Sequence, residues 1–452
     1  MAEQAFESRH RPKIGIARAE PPEWLLDHTE LNMHALGLGA ELEAEWLAAG
    51  LELPDRPAMR KYRLERVREQ LRAADCDAAL LYDPVNIRYA TDTTNMSLWT
   101  MHNAVRFAVV NTDGPVVVFE FSDGEFLDAH SEVVDEIRPA PSYTHFLAGP
   151  RAPEITQRWA AEVADLVSEH ARTSSRRLGG RLAVDRLDLG AARALESHGI
   201  ELMAGEPLME TARTVKSADE IRAMRCAVHA CEAAIGEMEA IFEPGVSELD
   251  LWAALWAGSL RRYGEWIETR LLSSGPRTNP WYQEASSRRV QAGELMGFDT
   301  DLVGAYGMCV DMSRTWLCGN GRPSASQHDT WSLAAEQIQR NTELFQAGTP
   351  FRELTEAAWY PDPDEYRHYT SLAHGVGLCD EYPSVTFRHK WDRVGYDGVL
   401  EPGMVVCVEA YVGPRSGGEG VKLEEQVLIT KTGNEVLSHL PLGLFGRSGV
   451  VG

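Results

Sequence analysis

The chain has 452 residues, a hydrophobic content of 44%, a formal net charge of −24 at pH 7 and a pI near 5.0. This length exceeds one ordinary hydrophobic core and predicts two domains. The acidic excess argues against nucleic acid or an anionic membrane surface as the main partner, because both would be repelled. We therefore expect a protein that acts on a small molecule.

Seven cysteines are scattered along the chain without a C-x-x-C pair, which argues against a zinc ribbon and against a secreted disulfide scaffold. The first residues, MAEQAFESRHRPKIG, carry charges where a signal peptide needs an apolar run. No stretch approaches the roughly 18 unbroken apolar residues of a membrane helix. The sequence therefore predicts a soluble cytoplasmic protein with reduced thiols.

The first half of the chain has the pattern of an α/β domain. Residues 1–55 are polar, interrupted by prolines and without a clear period, so we predict an irregular arm there. The stretch MRKYRLERVREQLRAA, from Met59 to Ala74, predicts an amphipathic helix, and strand-like runs follow at AALLY, RFAVVN, PVVVFEF and RLAVD. Strands that alternate with helices predict an α/β domain over residues 56–208.

A second domain is predicted over residues 209–452. Ser217 with Glu220, and Ser247 with Asp250, have the spacing of capping boxes and mark the starts of two helices. Strand-like segments then follow around Arg270, Phe298, Val310, Val405 and Val427. Two helices followed by antiparallel strands with long connections predict an α+β domain.

The segment FDTDLVGAYGMCVDMSRT has the apolar content of a core strand but carries Asp299, Asp301 and Asp311. Burying an ionised carboxylate costs several kcal/mol unless the group is paired or bound to a metal. Because alternate residues of a strand face the same side, we expect Asp299 and Asp301 to project together. We expect Asp311 to return on a paired strand after a turn at residues 304–307.

Three further residues downstream complete a candidate metal site. The candidate ligands are Asp299, Asp301, Asp311, His374, Glu409 and Glu424. Taken singly, a strand aspartate usually faces solvent and a histidine usually makes an ordinary hydrogen bond. Five acidic residues in apolar segments together favour a site for two oxygen-loving divalent ions, and iron, manganese, cobalt, nickel and zinc remain open.

This order of residues resembles the creatinase, aminopeptidase P and prolidase family: an Asp-rich strand, a further Asp followed by SRT, HGVGL, a Glu on a strand, and a Glu in KLEEQ. The resemblance covers residues 60–435, since RYAT at Arg88 is similar to the N-terminal domain of that family. It implies an α/β N-terminal domain followed by an α+β catalytic domain with the pita-bread fold and a dinuclear metal site.

Three departures separate the chain from the peptidases of that family. Those enzymes place their first two ligand aspartates eleven residues apart, whereas Asp311 follows Asp301 by ten and Asp299 by twelve. Trp281 stands where the peptidases carry a histidine before a tyrosine, and Asp380 stands where they carry a second histidine after HGxG. Loss of both histidines argues against amide hydrolysis, and Asp380 becomes a candidate general base beside the metals.

These departures are similar to those of a narrower group, the metal-dependent dimethylsulfoniopropionate (DMSP) lyases of the DddP type. The similar segments are YATDTTNMSLWTMHN, GEWIETRLLSSGPRTNPW, FDTDLVGAYGMCVDMSRTW and HGVGLCDEYP. The resemblance implies β-elimination of DMSP to dimethyl sulfide and acrylate, metal ligation by the six candidate ligands, sulfonium contact by Trp99 and Tyr369, and proton abstraction by Asp380. We infer Trp281 as a third wall, from the lost histidine.

The same resemblance favours iron and a homodimer in which Trp99 serves the neighbouring subunit. Three alternatives stay open at this point. An Xaa-Pro dipeptidase or aminopeptidase P fits the fold and the metals, and an amidinohydrolase like creatinase fits the fold without needing metals. A non-catalytic binding module with this fold is the third, and it needs no metal ligands.

Overall fold

The computed structural model describes residues 14–15, 38–122, 124–171 and 180–446. Within these ranges the chain forms two compact units, residues 14–15 with 56–213, and residues 38–55 with 214–446. Helix α1 (Ala40–Ala48) lies in the stretch predicted as an arm and belongs to the second unit; apart from residues 14–15, the rest of the predicted arm before residue 38 lies outside the described residues. In these ranges no helix has the length and apolar character to cross a membrane.

The first unit is built on one mixed sheet of seven strands. The strands are β1 (Ile14–Gly15), β2 (Ala78–Leu81), β3 (Phe107–Asn111), β4 (Val116–Glu120), β5 (Glu136–Pro139), β6 (Arg181–Val184) and β7 (Glu201–Ala204). Their order across the sheet is β1-β5-β4-β3-β2-β6-β7. β4 with β5, β2 with β6 and β6 with β7 are parallel pairs, as expected where helices connect strands. The four strand-like runs correspond to β2, β3, β4 and β6.

Seven helices accompany this sheet: α2 (Arg56–Ala73), α3 (Pro84–Thr91), α4 (Ser97–Thr100), α5 (His145–Ala148), α6 (Ala152–His170), α7 (Leu189–Ser197) and α8 (Glu206–Thr214). The predicted amphipathic helix is α2. The core of the unit contains stacked rings of Phe107 and Phe119, with centroids 4.2 Å apart, and the fully buried Trp159 on α6. Aromatic pairs of this kind stabilise a core beyond their buried area.

Besides α1, the second unit contains the helices α9 (Ala218–Ala240), α10 (Glu248–Leu260), α11 (Ala325–Thr342), α12 (Phe351–Ala357) and α13 (Trp391–Val394). The predicted capping boxes of α9 and α10 are confirmed: Ser217 N–H donates to Glu220 at 2.8 Å, and Ser247 N–H donates to Asp250 at 3.3 Å. Each box satisfies two backbone groups that the helix start would otherwise leave unpaired.

The strands of the second unit form three sheets. They are β8 (Trp266–Ile267), β9 (Leu272–Ser274), β10 (Leu295–Asp299), β11 (Leu302–Val303), β12 (Cys309–Val310), β13 (Ser313–Leu317), β14 (Tyr366–Arg367), β15 (Ala373–Val376), β16 (Asp380–Val385), β17 (Val405–Pro414), β18 (Val421–Thr430) and β19 (Gly433–Val436). The sheets have the orders β13-β10-β9, β12-β11-β8 and β16-β15-β17-β18-β19, and β14 pairs with β17. The strand predicted around Arg270 corresponds to β9, which begins two residues later at Leu272.

The paired strands β17 and β18 are the centre of the second unit. α11 packs against both strands, and Ile338, Val406, Val408 and Leu423 belong to one buried apolar cluster. A strand buried on both faces reads as a nearly continuous apolar run, so a charged residue inside it is conspicuous. Glu409 and Glu424 sit in such runs, and their side chains define where the site forms.

Candidate metal centre

Strand pairing in the second unit fixes the backbone of the candidate ligands. Glu409 on β17 lies directly opposite Glu424 on β18, and His374 on β15 lies opposite Cys407 on β17. Directly opposed residues project to the same face of a sheet, with Cβ atoms about 5 Å apart. Strands that are distant in sequence thereby present two carboxylates and an imidazole to one place.

Asp299, Asp301 and Asp311 offer carboxylate oxygens that all lie within 4.8 Å of one another. The backbone that brings these carboxylates together is not the expected single strand with alternating side chains. β10 ends at Asp299, and Asp301 has a φ of 37°, in the left-handed region that few residues other than glycine adopt. The Thr269 hydroxyl donates to Asp301 Oδ2 at 2.5 Å and holds this carboxylate in place.

A second group of donor atoms, from Asp311, His374, Cys407 and Glu424, also lies within 4.8 Å. His374 Nε2 is 3.3 Å from Glu409 Oε1, 3.4 Å from Asp311 Oδ2 and 3.7 Å from Glu424 Oε1. The structure therefore brings all six sequence-predicted ligands into one cluster, with Asp311 in both groups. The Cys407 thiol was not among the predicted ligands, and it donates weakly to the Asp311 carbonyl at 3.7 Å.

The cluster concentrates negative charge where water cannot screen it. Burial raises the pKa of Asp299 to about 6, and burial together with the charge of Asp299 raises the pKa of Asp301 to about 7. Burial and Glu424 raise the pKa of Asp311 well above its usual range. So many buried carboxylates do not ionise together without cations. Divalent ions would allow all of them to ionise.

The donor set fits such ions. Asp311 Oδ1 and Glu424 Oε1 are shielded from solvent and have no hydrogen-bond partner among the described residues, although buried carboxylate oxygens normally have one. Five carboxylates and one imidazole match the preference of hard and borderline divalent metals for oxygen with some nitrogen. The fit concerns these side chains alone and does not distinguish one metal from another.

Lys422 is a residue of the cluster that the sequence analysis missed. Its ammonium lies 2.7 Å from Glu409 Oε2, 2.9 Å from Glu424 Oε2 and 3.1 Å from Asp299 Oδ2, and the side chain is fully buried. Burial lowers the pKa of Lys422, but these three carboxylates hold it well above the usual value, so the residue is charged. Its position two residues before Glu424 on β18, on the same face, is a signal that the sequence contained.

Replacing Lys422 by methionine is expected to lower the free energy of unfolding of the metal-free protein by on the order of 3 kcal/mol, because it leaves buried carboxylates without their counter-ion. Denaturant unfolding after chelation measures this effect. Lys431→Met, at an exposed position just after β18, is the matched control. Equal unfolding midpoints for the two variants would show that Lys422 does not balance the cluster.

Asp380 lies at the edge of this cluster as the first residue of β16. Its Oδ1 is 3.7 Å from His374 Nδ1, and its side chain is 45% exposed, unlike the buried carboxylates around it. Burial, opposed by His374, raises the pKa of Asp380 to about 6. Divalent ions nearby would lower this pKa. The exposed position of Asp380 is therefore the more informative observation, because solvent and a small ligand can reach its carboxylate.

Two of the three predicted aromatic residues lie beside the cluster. The Lys422 ammonium is 4.4 Å from the ring centroid of Tyr369 and 6.0 Å from that of Trp281. Tyr282 stacks on Tyr369 at 5.5 Å, and Trp281 lies 6.0 Å from Tyr411. The cluster thus has an aromatic wall on the side of Lys422.

Trp99, the third predicted aromatic residue, belongs to the first unit. It lies on the short helix α4, half-buried, with its ring 5.8 Å from Phe121 and 6.3 Å from Phe146. Four apolar side chains close in sequence to Trp99 or Phe146 are well exposed. Met96 is 54% and Leu98 55% exposed, and Phe146 is 69% and Leu147 49% exposed. Trp99 therefore lies in an apolar surface patch of its unit.

Comparison with known proteins identifies both units. The model of metallopeptidase family M24 matches residues 222–431, and that of the creatinase/prolidase N-terminal domain matches residues 63–215. A protein of Roseovarius nubinhibens named dimethylsulfoniopropionate lyase DddP is 45% identical over 89% of this chain and 91% of its own length. One of the same name from Roseobacter denitrificans is 43% identical over 91% and 92%.

Among solved structures, an Xaa-Pro dipeptidase from Bacillus anthracis superposes with a TM-score of 0.68 at 24% identity, over 85% of this chain and 99% of that one. This similarity concerns the fold, and it confirms the predicted creatinase-type N-terminal domain and pita-bread catalytic domain. The chain therefore belongs to metallopeptidase family M24 and, within it, to the group that contains the DddP-type dimethylsulfoniopropionate lyases.

Proposed function

We propose that the protein is a DMSP lyase that cleaves its substrate to dimethyl sulfide and acrylate by β-elimination. The observation that carries the proposal is the position of Asp380. A solvent-reaching carboxylate lies 3.7 Å from His374, at the edge of a buried cluster of acidic side chains. The two relatives named DMSP lyase, each matched over most of its length, support the same reaction.

In this proposal two divalent metal ions are held by Asp299, Asp301, Asp311, His374, Glu409 and Glu424. The resemblance to the DddP-type lyases favours iron, and the ligand set equally suits manganese, cobalt, nickel or zinc. When bound, the ions supply Lewis-acid stabilisation for the negative charge that develops on the substrate carboxylate. The two groups of donor atoms that share Asp311 support a count of two.

Asp380 acts as the general base. Its carboxylate takes the proton from the carbon next to the substrate carboxylate, and the freed electron pair forms the carbon-carbon double bond. The carbon-sulfur bond breaks at the same time, and its electron pair leaves with neutral dimethyl sulfide. The products are acrylate, dimethyl sulfide and a protonated Asp380, which returns its proton to solvent. Water is not consumed.

Tyr369 and Trp281 form the sulfonium-binding wall of the second unit, and Trp99 of the neighbouring subunit supplies a further aromatic contact. An aromatic face attracts a cation by about 0.5 to 2 kcal/mol, and the Lys422 ammonium 4.4 Å from the Tyr369 ring is an instance of that attraction within this chain. The apolar faces of these rings suit the methyl groups of a sulfonium, which form no hydrogen bonds with water.

Trp99→Ala is expected to raise the KM for DMSP about tenfold with a smaller change in kcat, because it removes a group that holds the cationic end of the substrate. Initial rates of dimethyl sulfide release measure both constants. Leu189→Ala, at an exposed position on α7 of the same unit and outside the apolar patch around Trp99, is the control. An unaltered KM would assign Trp99 to packing against Phe121 and Phe146.

The whole proposal is tested by adding DMSP to purified protein of known metal content and measuring dimethyl sulfide in the headspace and acrylate in solution. An Xaa-Pro dipeptide with proline detection is the parallel assay. We do not favour the peptidase reaction, because Trp281 and Asp380 occupy the two positions where an imidazole is expected. Proline release without dimethyl sulfide would overturn the lyase proposal.

We further propose a homodimer and a cytoplasmic location. The apolar patch of Met96, Leu98, Phe146 and Leu147 around Trp99 supports burial of this surface in a subunit interface. No disulfide joins any of the seven cysteines, all of which lie in the described residues, and this suits a reducing compartment. Sedimentation equilibrium of the wild type and of Phe146→Asp checks the dimer, and a wild-type monomer at micromolar concentration would contradict it.

A further inference from the structure

A cleft in the second unit is lined by two arginines, a lysine and two histidines. Its volume is about 290 Å³, and its lining includes Arg367, His368, His389, Lys390 and Arg415. No acidic residue lines it among the described residues. The whole chain carries a formal net charge of −24, so a cleft of this sign is not a consequence of composition.

The three permanent cations of the cleft have neutral partners. Arg367 Nη1 donates to the Pro414 carbonyl at 3.1 Å, and Arg415 Nε donates to the Pro363 carbonyl at 2.8 Å. Lys390 Nζ donates to the Thr370 carbonyl at 2.9 Å. In the part of the chain that the structure describes, none of the three forms an ion pair with a carboxylate. Each guanidinium keeps further N–H groups to offer a ligand.

Arg367 and Arg415 also line a second cavity, of about 400 Å³, that contains Glu294 and Glu419. These glutamates have their own partners. Glu294 pairs with Arg288, and Glu419 accepts hydrogen bonds from the Leu295 N–H at 2.8 Å and the Gln327 side chain at 2.5 Å. Among the described residues, neither glutamate forms an ion pair with Arg367 or Arg415.

His368, the more buried of the two cleft histidines, is affected by the positive charges around it. Burial first, and then the neighbouring His389, Lys390 and Arg415, lower the pKa of His368 to about 4. His368 is therefore neutral near pH 7. A ligand that brings one negative charge would relieve the repulsion among these groups.

The cleft is separated from the metal centre by one layer of aromatic rings. Trp281 and Tyr282 belong to its lining, Tyr282 stacks on Tyr369 at 5.5 Å, and the Trp281 ring centroid is 6.0 Å from the Lys422 ammonium. None of the six candidate metal ligands lines the cleft, so the ligand site adjoins the wall that we assign to the sulfonium and is distinct from the acidic cluster.

We propose that this cleft is a second ligand site, which binds a small organic monocarboxylate through Arg367, Arg415 and Lys390. Arginine suits this role, because its planar fork binds a carboxylate with two parallel hydrogen bonds. The identification of acrylate as the natural ligand rests on the proposed function. DMSP carries a sulfonium that these cations repel, whereas acrylate has only the attracted charge, so the cleft discriminates product from substrate.

Calorimetric titration of the metal-loaded protein with propionate, and separately with acrylate and inorganic phosphate, tests this site. Wild-type protein is expected to bind one more carboxylate per chain than the double variant Arg367→Gln/Arg415→Gln. The affinity of any other carboxylate site should be the same in both proteins. Arg322→Gln, at an exposed position of the same unit away from the cleft lining, is the control for Arg415→Gln and should behave as wild type. Arg415→Gln alone, at an exposed position, should weaken the extra site about tenfold and guards against misfolding of the double variant.

Identical carboxylate stoichiometry and affinity in wild type and both cleft variants would overturn the proposal. So would tighter binding of phosphate than of propionate at the extra site, because it would show a general anion site. The dimethyl sulfide assay is read separately. If propionate binding is lost in the variants and wild-type protein releases no dimethyl sulfide, the cleft stands and the lyase proposal fails.

Discussion

Asp380→Asn is expected to lower kcat for dimethyl sulfide release about 1,000-fold, or roughly 4 kcal/mol of transition-state stabilisation, with bound metal unchanged. The amide has nearly the shape of the carboxylate but accepts no proton at neutral pH. Asp380 is 45% exposed at the edge of the cluster and makes no buried ion pair with Lys422, so its replacement leaves the six candidate metal ligands in place. Asp380→Ala should have the same result.

The comparison for this variant is Asp392→Asn, an exposed aspartate on α13 of the same unit. Headspace rates and metal analysis of the same preparations separate the loss of the base from the loss of the metals. Turnover within tenfold of wild type would remove Asp380 as the base. A parallel loss of metal would instead place Asp380 among the ligands.

Those parts of the fold that depend on local chemistry were predictable from the sequence. A capping box needs only two side chains three residues apart, so Ser217 with Glu220 marked the start of α9 correctly. The apolar runs of β3 and β4 are equally local, because a strand buried on both faces requires them. The bounds of short strands are less predictable: β9 has only three residues and begins at Leu272, two residues after the predicted centre at Arg270, because so short a run has no readable period.

The convergence of the acidic side chains was predictable, but its geometry was not. Asp301 reaches the cluster through a positive φ of 37°, which the sequence pattern of an alternating strand does not indicate. Thr269, from a separate segment, holds that carboxylate by a hydrogen bond. Contacts of this kind depend on how strands pair, which is a property of the tertiary structure.

Lys422 and the cationic cleft illustrate the limits of reading charge from a sequence. A lysine in an exposed-looking KLEEQ stretch is ordinary by composition, and only the pairing of β17 with β18 shows that its ammonium lies among three buried carboxylates. Arg367, Lys390 and Arg415 come from separate segments and meet without counter-ions. Net charge describes the average surface, whereas both sites depend on local departures from that average.

Asp311→Ala is expected to abolish metal binding and dimethyl sulfide release together. Its carboxylate belongs to both groups of donor atoms, so its removal takes a ligand from each proposed ion, whereas the loss of Asp301 or His374 directly affects one group. Metal content should fall below about one ion per chain, because a site with a missing ligand loses much of its affinity. Asp329→Ala, on the exposed face of α11, is the control for metal analysis and activity. Unchanged metal content in Asp311→Ala would show that the shared position is not a ligand, and the two groups would then no longer support a pair of ions.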